Sequence, residues 1–138
     1  MCGISGVYNY KNDRGASAEE MRIMSDKLVH RGPDSAGAYI SPDRRVGFGF
    51  RRLAIIDLSP SGNQPMTNED GTVWIVFNGE IYNFQEIREE LLKRGHKFKS
   101  KSDTEAIIHA YEEYGADCVK HFNGMFAFVI WDEKKKIL

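Results

Sequence analysis

The sequence predicts one domain of mixed helices and strands, of the α+β class. Short apolar runs rich in β-branched and aromatic residues lie between turn-forming residues, and Val73–Phe77 and Met125–Trp131 are the clearest of them. Three further segments carry apolar residues at helical spacing, and each follows a residue that can cap a helix. A chain of 138 residues is long enough to bury a core within one domain.

The predicted strands are short and spread along the chain. They cover Ile4–Tyr8, Ala36–Ile40, Val46–Phe50, Leu53–Ile56, Val73–Phe77 and Met125–Trp131. Asp57–Gly71 is rich in turn-forming pairs and is expected to be irregular. Lys136–Leu138 have the pattern of a strand that begins to return. A hairpin that stops there leaves an unpaired sheet edge, so we expect a domain truncated at its C-terminal end.

Three helices are predicted from their caps and their stop signals. They begin after Ser17, Asn83 and Ser102. Glu20 and Glu105 lie at the spacing of a capping box in the first and third helix. Gly95 and Gly115 are expected to end the second and third helix.

The charge balance favours no polyanionic partner. The chain has 19 basic and 20 acidic residues and a net charge of −1, so we expect it to bind neither nucleic acid nor an anionic membrane. No apolar run approaches the roughly 18 residues of a membrane span, and no secretory signal is visible, which favours the cytoplasm. Cys2 and Cys118 suggest no disulfide framework. A homodimer remains possible.

Cys2 is the strongest candidate for chemistry because of its position. A cysteine is more often an inert buried residue. A small residue after Met1, however, permits removal of the methionine, which would leave a thiol and a free α-amine on the same residue. The amine can then act as the general base for its own thiol. We therefore predict that Cys2 is an N-terminal nucleophile.

Asn78 and Gly79 allow two interpretations. An Asn-Gly pair after a strand is the strongest short signal for a hairpin turn. The asparagine amide and the glycine N–H can also converge as two donors on one oxyanion, as acyl transfer requires. The sequence leaves both open.

Arg52 and Asp103 could bind the two charged groups of an amino acid. Most arginines are simply solvated, but a guanidinium can clamp a carboxylate through two hydrogen bonds. Asp103 follows the cap residue Ser102, where acidic residues are common because of the helix dipole. A carboxylate there could also bind an ammonium group.

No cofactor or metal site is predicted for this domain. The four histidines lack the spacing of metal ligands; they are His30, His96, His109 and His121. No glycine-rich phosphate loop is present in the sequence.

Several short motifs occur in one order along the chain. They are Met1-Cys2-Gly3-Ile4-Ser5-Gly6, His30-Arg31-Gly32-Pro33-Asp34, Arg52-Leu53 with Ile55-Ile56-Asp57, Asn63-Gln64-Pro65, Phe77-Asn78-Gly79-Glu80-Ile81-Tyr82-Asn83, Ser102-Asp103-Thr104-Glu105 and Gly124-Met125-Phe126-Ala127-Phe128. Together they resemble the class II glutamine amidotransferase domain of glutamine-hydrolysing asparagine synthetases. The resemblance covers essentially all of residues 1–138, and it implies a four-layer αββα sandwich of the N-terminal nucleophile hydrolase type.

The resemblance also implies catalytic roles. Cys2 corresponds to the nucleophile, with its own amine as the base. Asn78 and Gly79 correspond to the oxyanion hole. The His30–Asp34 loop lies close by in such domains and is expected to be structural.

The same resemblance implies a glutamine-binding site. Arg52 would hold the α-carboxylate of glutamine, and Asp103 its α-ammonium group. Glu80 would line the site, and backbone groups of Ile55 and Ile56 would help to position the substrate.

The implied reaction is hydrolysis of glutamine to glutamate and ammonia through a thioester on Cys2. In the family the ammonia passes to a synthetase domain, which uses ATP and magnesium to convert aspartate to asparagine; that domain is absent from this sequence. Two alternatives stay open. The chain could be a non-catalytic truncated fragment, or its domain could serve another acceptor.

Overall fold

The computed structural model describes residues 2–11 and 14–138, which form two three-stranded antiparallel sheets and three helices. The strands are β1 (Gly3–Tyr8), β2 (Ser35–Ile40), β3 (Val46–Arg52), β4 (Met66–Thr67), β5 (Val73–Ile81) and β6 (Gly124–Asp132). The helices are α1 (Ala18–Asp26), α2 (Phe84–Lys93) and α3 (Asp103–Tyr114). Short 3-10 segments lie at Pro60–Gly62 and Gly115–His121.

The elements stack in four layers. Helix α1 packs on the first sheet, whose strand order is β1-β3-β2, and the other face of that sheet meets the second sheet, ordered β4-β5-β6. Helix α3, with α2 beside it, covers the far face of the second sheet. The mixed class and the αββα order are as predicted. Among the described residues, no helix has the length and apolarity needed to cross a membrane.

Alternating side chains of β5 build both cores. Ile75 and Phe77 pack in the cluster shared with α2 and α3. Trp74 and Val76 pack in the cluster between the two sheets. Because side chains alternate along a strand, Asn78 lies on the same face as Val76 and is directed toward the first sheet. Cys2 packs against the cluster between the two sheets, so Asn78 and Cys2 lie on the same side of the second sheet.

Glycines let α1 sit close to the first sheet. A Cβ atom on Gly49 would lie 2.4 Å from Ser25 Oγ, and one on Gly3 would lie 2.8 Å from Leu28 Cβ. Neither position has room for a side chain unless the helix moves away. The close packing holds β1 in place beginning at the residue after Cys2.

Two predictions about the strands were wrong. Leu53–Ile56 is not a strand, because β3 ends at Arg52 and the chain then leaves the sheet; Ile55 is 67% exposed. Its apolar residues line a cleft instead of a core. The hairpin interpretation of Asn78–Gly79 is also excluded. Strand β5 continues to Ile81, and its register with β6 pairs these two residues without a turn.

The serine side chains cap α1 and α3 as predicted, but the reciprocal hydrogen bond from Glu20 is missing. Ser17 Oγ accepts a hydrogen bond from Glu20 N, and Ser102 Oγ accepts one from Thr104 N. The carboxylate of Glu20 pairs with Arg14 at 2.9 Å, so its box is not closed by a return bond from the side chain. Helix α1 ends at Asp26.

Asn83 also differs in detail from the prediction. Asn83 begins α2 without a side-chain cap bond. Its amide instead donates to His121 O and accepts from Asn123 N. In the predicted returning segment, Ile137 forms a single antiparallel bridge with Asp132.

Candidate active site

One cleft contains every residue to which the sequence assigned a site role. These residues are Cys2, Arg52, Ile55, Ile56, Asn78, Gly79, Glu80 and Asp103. The cleft lies at the ends of β3 and β5, beside the beginning of α3. Its volume is about 110 Å³.

The thiol of Cys2 is half-buried and contacts the backbone of Leu53. Leu53 N donates to Cys2 Sγ at 3.4 Å, and Leu53 O lies 3.6 Å from the same sulfur. The backbone of Leu53 thus fixes the position of the sulfur at the cleft wall. Met1 lies outside the described residues. The prediction that its removal frees the amine of Cys2 therefore also concerns a residue outside them.

The His30–Asp34 loop connects Cys2 to the segment that follows β3. Arg31 Nε donates to the carbonyl oxygen of Cys2 at 3.1 Å. Asp34 Oδ2 accepts from Ala54 N at 2.8 Å, and Asp34 N donates to Arg52 O at 3.0 Å. The loop therefore holds the backbone of the predicted nucleophile, as its expected structural role requires.

The side chain of Asn78 has polar atoms without partners. Its Oδ1 is buried and accepts no hydrogen bond, and its amide forms no side-chain bond to any other described residue. Buried polar groups are nearly always satisfied within a protein, so an exception at a cleft indicates a group that a ligand completes.

The backbone N–H of Gly79 points to the cleft edge of β5. N–H groups two residues apart project to the same edge of a strand. On that edge Phe77 N donates to Gln64 Oε1 at 2.6 Å, and Ile81 N donates to Asp103 Oδ2 at 3.1 Å. Gly79 lies midway between these two donors. Its N–H and the amide of Asn78 thus flank the same stretch of the cleft.

Arg52 is a buried cation held by neutral oxygens. Its Nη1 donates to Ser59 O and to Asn63 Oδ1, both at 2.8 Å, and its Nη2 donates to Asp57 O. The residue is 7% exposed, and it forms no ion pair with a carboxylate in the described part of the chain. Because a buried charge needs compensation, the guanidinium favours an anionic ligand in the cleft.

Asp103 supplies the opposite charge at the start of α3. It is 4% exposed, and this burial raises the pKa of its carboxyl above the usual value. Glu80 also lines the cleft but is exposed, as are the side chains of Ile55 and Ile56.

Comparisons with known proteins identify the family of this chain. Residues 1–138 match the family model described as a glutamine amidotransferase domain. The chain belongs to this family. Glutamine-hydrolysing asparagine synthetase 1 of Bacillus subtilis strain 168 is 46% identical over 141 residues, covering 100% of this chain and 22% of its own length. The corresponding protein 1 of Arabidopsis thaliana is 44% identical over 134 residues, covering 97% of this chain and 22% of its own length.

Other relatives extend the comparison. Amidase chry2 of Gibberella zeae is 40% identical over 147 residues, covering 100% of this chain and 22% of its own length. A solved glutamine phosphoribosylpyrophosphate amidotransferase from B. subtilis, complexed with ADP and GMP, superposes with a TM-score of 0.75 at 18% identity, over 96% of this chain and 35% of its own. This likeness confirms the predicted fold. The chain spans about a fifth of the length of these curated relatives.

Gln64 also lines the amidotransferase cleft, although the sequence analysis assigned it no role. Its Oε1 accepts from Phe77 N, and its Nε2 donates to Thr104 Oγ1 at 3.2 Å. It therefore connects β5 to the first turn of α3, and both segments line the cleft. The motif Asn63-Gln64-Pro65 was the available signal for this role. A polar residue within a turn-rich stretch, however, does not by itself indicate that its side chain is buried.

Proposed function

We propose that this amidotransferase domain hydrolyses glutamine to glutamate and ammonia, with Cys2 as the nucleophile. The observation that carries the proposal is the cleft itself. It combines a thiol, the side-chain amide of Asn78 beside the N–H of Gly79, a buried guanidinium that forms no ion pair with any described carboxylate, and a buried carboxylate. These are the groups that an amino acid with a side-chain amide needs.

The substrate is oriented by its two charged groups. Arg52 binds the α-carboxylate, because its guanidinium is fixed by the loop and forms no ion pair with a carboxylate among the described residues. Asp103 binds the α-ammonium group and thereby gains the countercharge that its burial demands. Glu80 and the backbone of Ile55 and Ile56 complete the wall around the bound amino acid.

The first chemical step forms a thioester. Cys2 Sγ attacks the carbon of the side-chain amide, and the thiol proton passes to the α-amine of Cys2. The oxyanion that develops receives hydrogen bonds from the amide of Asn78 and from Gly79 N–H. Collapse of the tetrahedral intermediate breaks the carbon–nitrogen bond, and the amine returns the proton so that ammonia leaves.

The second step hydrolyses the thioester. The amine of Cys2 takes a proton from water, whose oxygen attacks the thioester carbon. The same two donors stabilise the second oxyanion, and glutamate leaves as the proton returns to sulfur. Both steps need a free amine on Cys2 and therefore require that Met1 is removed.

The longer protein would use the ammonia for asparagine synthesis. This part of the proposal is supported by the identity to asparagine synthetases from Bacillus subtilis and Arabidopsis thaliana. A synthetase domain outside this chain would bind aspartate, ATP and magnesium and would be the domain's partner. The expected cytoplasmic location agrees with asparagine synthesis, and a homodimer is compatible with this proposal.

A different acceptor is the second candidate. The relative from Gibberella zeae shares 40% identity over this whole domain and carries the name of an amidase. The cleft recognises the nitrogen donor alone, so none of its residues selects the acceptor. Assaying the full-length protein with aspartate, ATP and magnesium separates the candidates, because only the first predicts asparagine as the product.

Glutamate release from glutamine tests the chemistry in this chain. We expect Cys2→Ala to abolish it, while Cys118→Ala, which removes the buried second thiol, retains most of it. Intact mass should show that the active protein lacks Met1. If protein with a free Cys2 amine and native secondary structure releases no glutamate, the chain is a non-catalytic fragment. If Cys2→Ala stays active, the mechanism is wrong.

A further inference from the structure

We propose that His96, His109 and Glu112 form a binding site for a divalent transition metal, preferentially zinc, outside the glutamine cleft. Their potential ligand atoms all lie within 4.8 Å of one another. None of the three residues lines the cleft. The site therefore has no part in the proposed hydrolysis.

The three ligand atoms form a triangle of the size that zinc requires. His96 Nδ1 lies 3.3 Å from His109 Nδ1 and 3.7 Å from Glu112 Oε2. His109 Nδ1 lies 2.9 Å from Glu112 Oε2. With metal–ligand bonds of about 2.0–2.2 Å and tetrahedral angles, neighbouring ligand atoms are about 3.3–3.6 Å apart. The measured distances bracket this value, so only small rotations of the side chains are needed.

The second nitrogen of each histidine faces a carboxylate. His96 Nε2 lies 3.3 Å from Glu113 Oε2. His109 Nε2 is buried without a hydrogen-bond partner, and Glu105 Oε1 lies 3.8 Å from it. Histidines that bind zinc usually donate their other N–H to a carboxylate, which fixes the tautomer and the ring orientation. In both histidines Nδ1 faces the other ligand atoms, and Nε2 faces a carboxylate.

The third ligand is also held in place. Asn68 Nδ2 donates to Glu112 Oε1 at 2.7 Å, which leaves Oε2 directed at the histidines. Two histidines and one carboxylate are a recognised zinc ligand set that keeps a fourth position for water. The side chains of His96 and Glu112 are 17% and 25% exposed, so water and metal can reach the site.

The fold brings the ligands together from two elements. His109 and Glu112 are three residues apart on α3 and share one face. His96 follows α2, where Gly95 has a φ of +98° and His96 N donates to Leu91 O. This turn sends His96 back against α3. The spacing between the histidines matches no metal motif, which is why the sequence predicted no site.

A hydrogen-bond network without metal is the competing explanation. In that case His109 Nδ1–H would donate to Glu112 or to His96, and no ion would be needed. The two explanations differ in what zinc does to the protein. A metal site joins the end of α2 to α3, so zinc should stabilise the fold, whereas a network should not respond.

Zinc titration of the chelator-treated chain by calorimetry tests the proposal. The parent for this experiment carries Cys2→Ala, because the thiol could bind zinc itself. We expect one zinc ion per chain, and an affinity reduced at least tenfold by His96→Gln and by Glu112→Gln. His30→Gln removes an exposed histidine from another region and serves as the matched control with unchanged affinity.

Thermal unfolding supplies an independent readout. Zinc should raise the midpoint of the parent and of His30→Gln but leave that of His96→Gln unchanged. His109 is buried, so its variants are avoided because they could unfold. Equal zinc affinity in the parent, His96→Gln and Glu112→Gln would overturn the proposal, as would the absence of saturable binding by the folded parent.

Discussion

Asp103 and Glu105 lie two residues apart in the first turn of α3, and both are buried, but the protein treats their charges in opposite ways. Glu105 accepts hydrogen bonds from Lys99 N and Ser100 N at 2.7 Å, and from Ser100 Oγ at 2.6 Å. The hydrogen bond from Ile81 N to Asp103 is longer, at 3.1 Å, and Asp103 also faces the cleft. Asp103 also accepts from Ser102 Oγ, at 3.4 Å, so the chain binds both carboxylates but holds Glu105 through shorter hydrogen bonds.

The pKa values of the two groups move in opposite directions. Burial acts to raise both. For Glu105 the neighbouring His109 and the donors of Lys99 and Ser100 outweigh burial and lower the pKa to about 2. For Asp103 burial prevails, and the pKa is raised. A buried carboxylate with complete partners serves the fold, whereas one with an undercompensated charge is available to bind a cation.

Asn78→Ala should have the largest effect of these variants. It applies the comparison between a well-bonded and a less well-bonded group to side-chain amides. We expect turnover to fall by roughly 10²–10³, the usual loss on removing one oxyanion donor. The midpoint of thermal unfolding should change little, because the amide has no hydrogen-bond partner among the residues that the structure describes. Steady-state kinetics and thermal unfolding measure the two effects.

Asn83→Ala is the matched control for Asn78→Ala. The amide of Asn83 has partners on both sides, His121 O and Asn123 N. We expect this variant to lose stability and to keep its turnover. If both variants lower the midpoint equally and spare turnover, Asn78 is a structural residue.

Arg52→Lys should act mainly on glutamine affinity. Hydrogen bonds to charged groups contribute about 1.5–3 kcal/mol, so we expect KM to rise roughly 10- to 100-fold with a smaller change in kcat. Arg51→Lys is the neighbouring control, because Arg51 pairs with Asp26 on the α1 side of the sheet. A loss confined to kcat would show that Arg52 does not bind the substrate carboxylate.

The elements could largely be predicted from the sequence because their apolar periodicity reports burial. The pattern failed where apolar residues serve a cleft, as Leu53–Ile56 do. It also failed at Asn78–Gly79, where local turn preference competes with the pairing of β5 and β6. A Cβ atom on Gly79 would lie 2.3 Å from Met125 O. This glycine is therefore required by close packing between strands, which no local rule reports.

The candidate site could be named from motifs, but its physical basis could not. The sequence does not show that Arg52 forms no ion pair with a carboxylate in the described part of the chain, since its neighbours come from the turn-rich loop. It also does not show that His96 meets His109, because the contact depends on the turn at Gly95. Both facts depend on tertiary packing between segments without a shared local pattern.

Glu105→Gln should reduce stability and leave glutamine binding largely intact. The new amide group would face two backbone N–H donors, and an unsatisfied buried donor costs about 1–3 kcal/mol. We expect a lower midpoint of thermal unfolding with KM nearly unchanged. A raised KM without loss of stability would contradict the division between the two carboxylates.

Asp103→Asn should have the smallest effect on stability and the opposite sign. A carboxyl group whose pKa is raised by folding binds its proton more tightly in the folded state. As the pH rises from its usual pKa of 3.8 through the raised value, the folded state therefore loses stability. At neutral pH the ionised Asp103 destabilises the unliganded domain, and a neutral asparagine of the same shape should raise the midpoint slightly.

The same substitution should weaken glutamine binding, because the ammonium group loses its countercharge. In the parent, kcat/KM should fall as the pH drops through the raised pKa of Asp103, since the protonated carboxyl cannot pair with ammonium. Asp103→Asn should lose this acidic limb and show a higher KM at neutral pH. A variant that is both less stable and unchanged in its pH profile would place Asp103 with Glu105 as a carboxylate of the fold. A variant that gains stability while losing affinity would show that Asp103 lowers the stability of the domain and binds the substrate. Glu105, in the same turn, would offset that loss of stability.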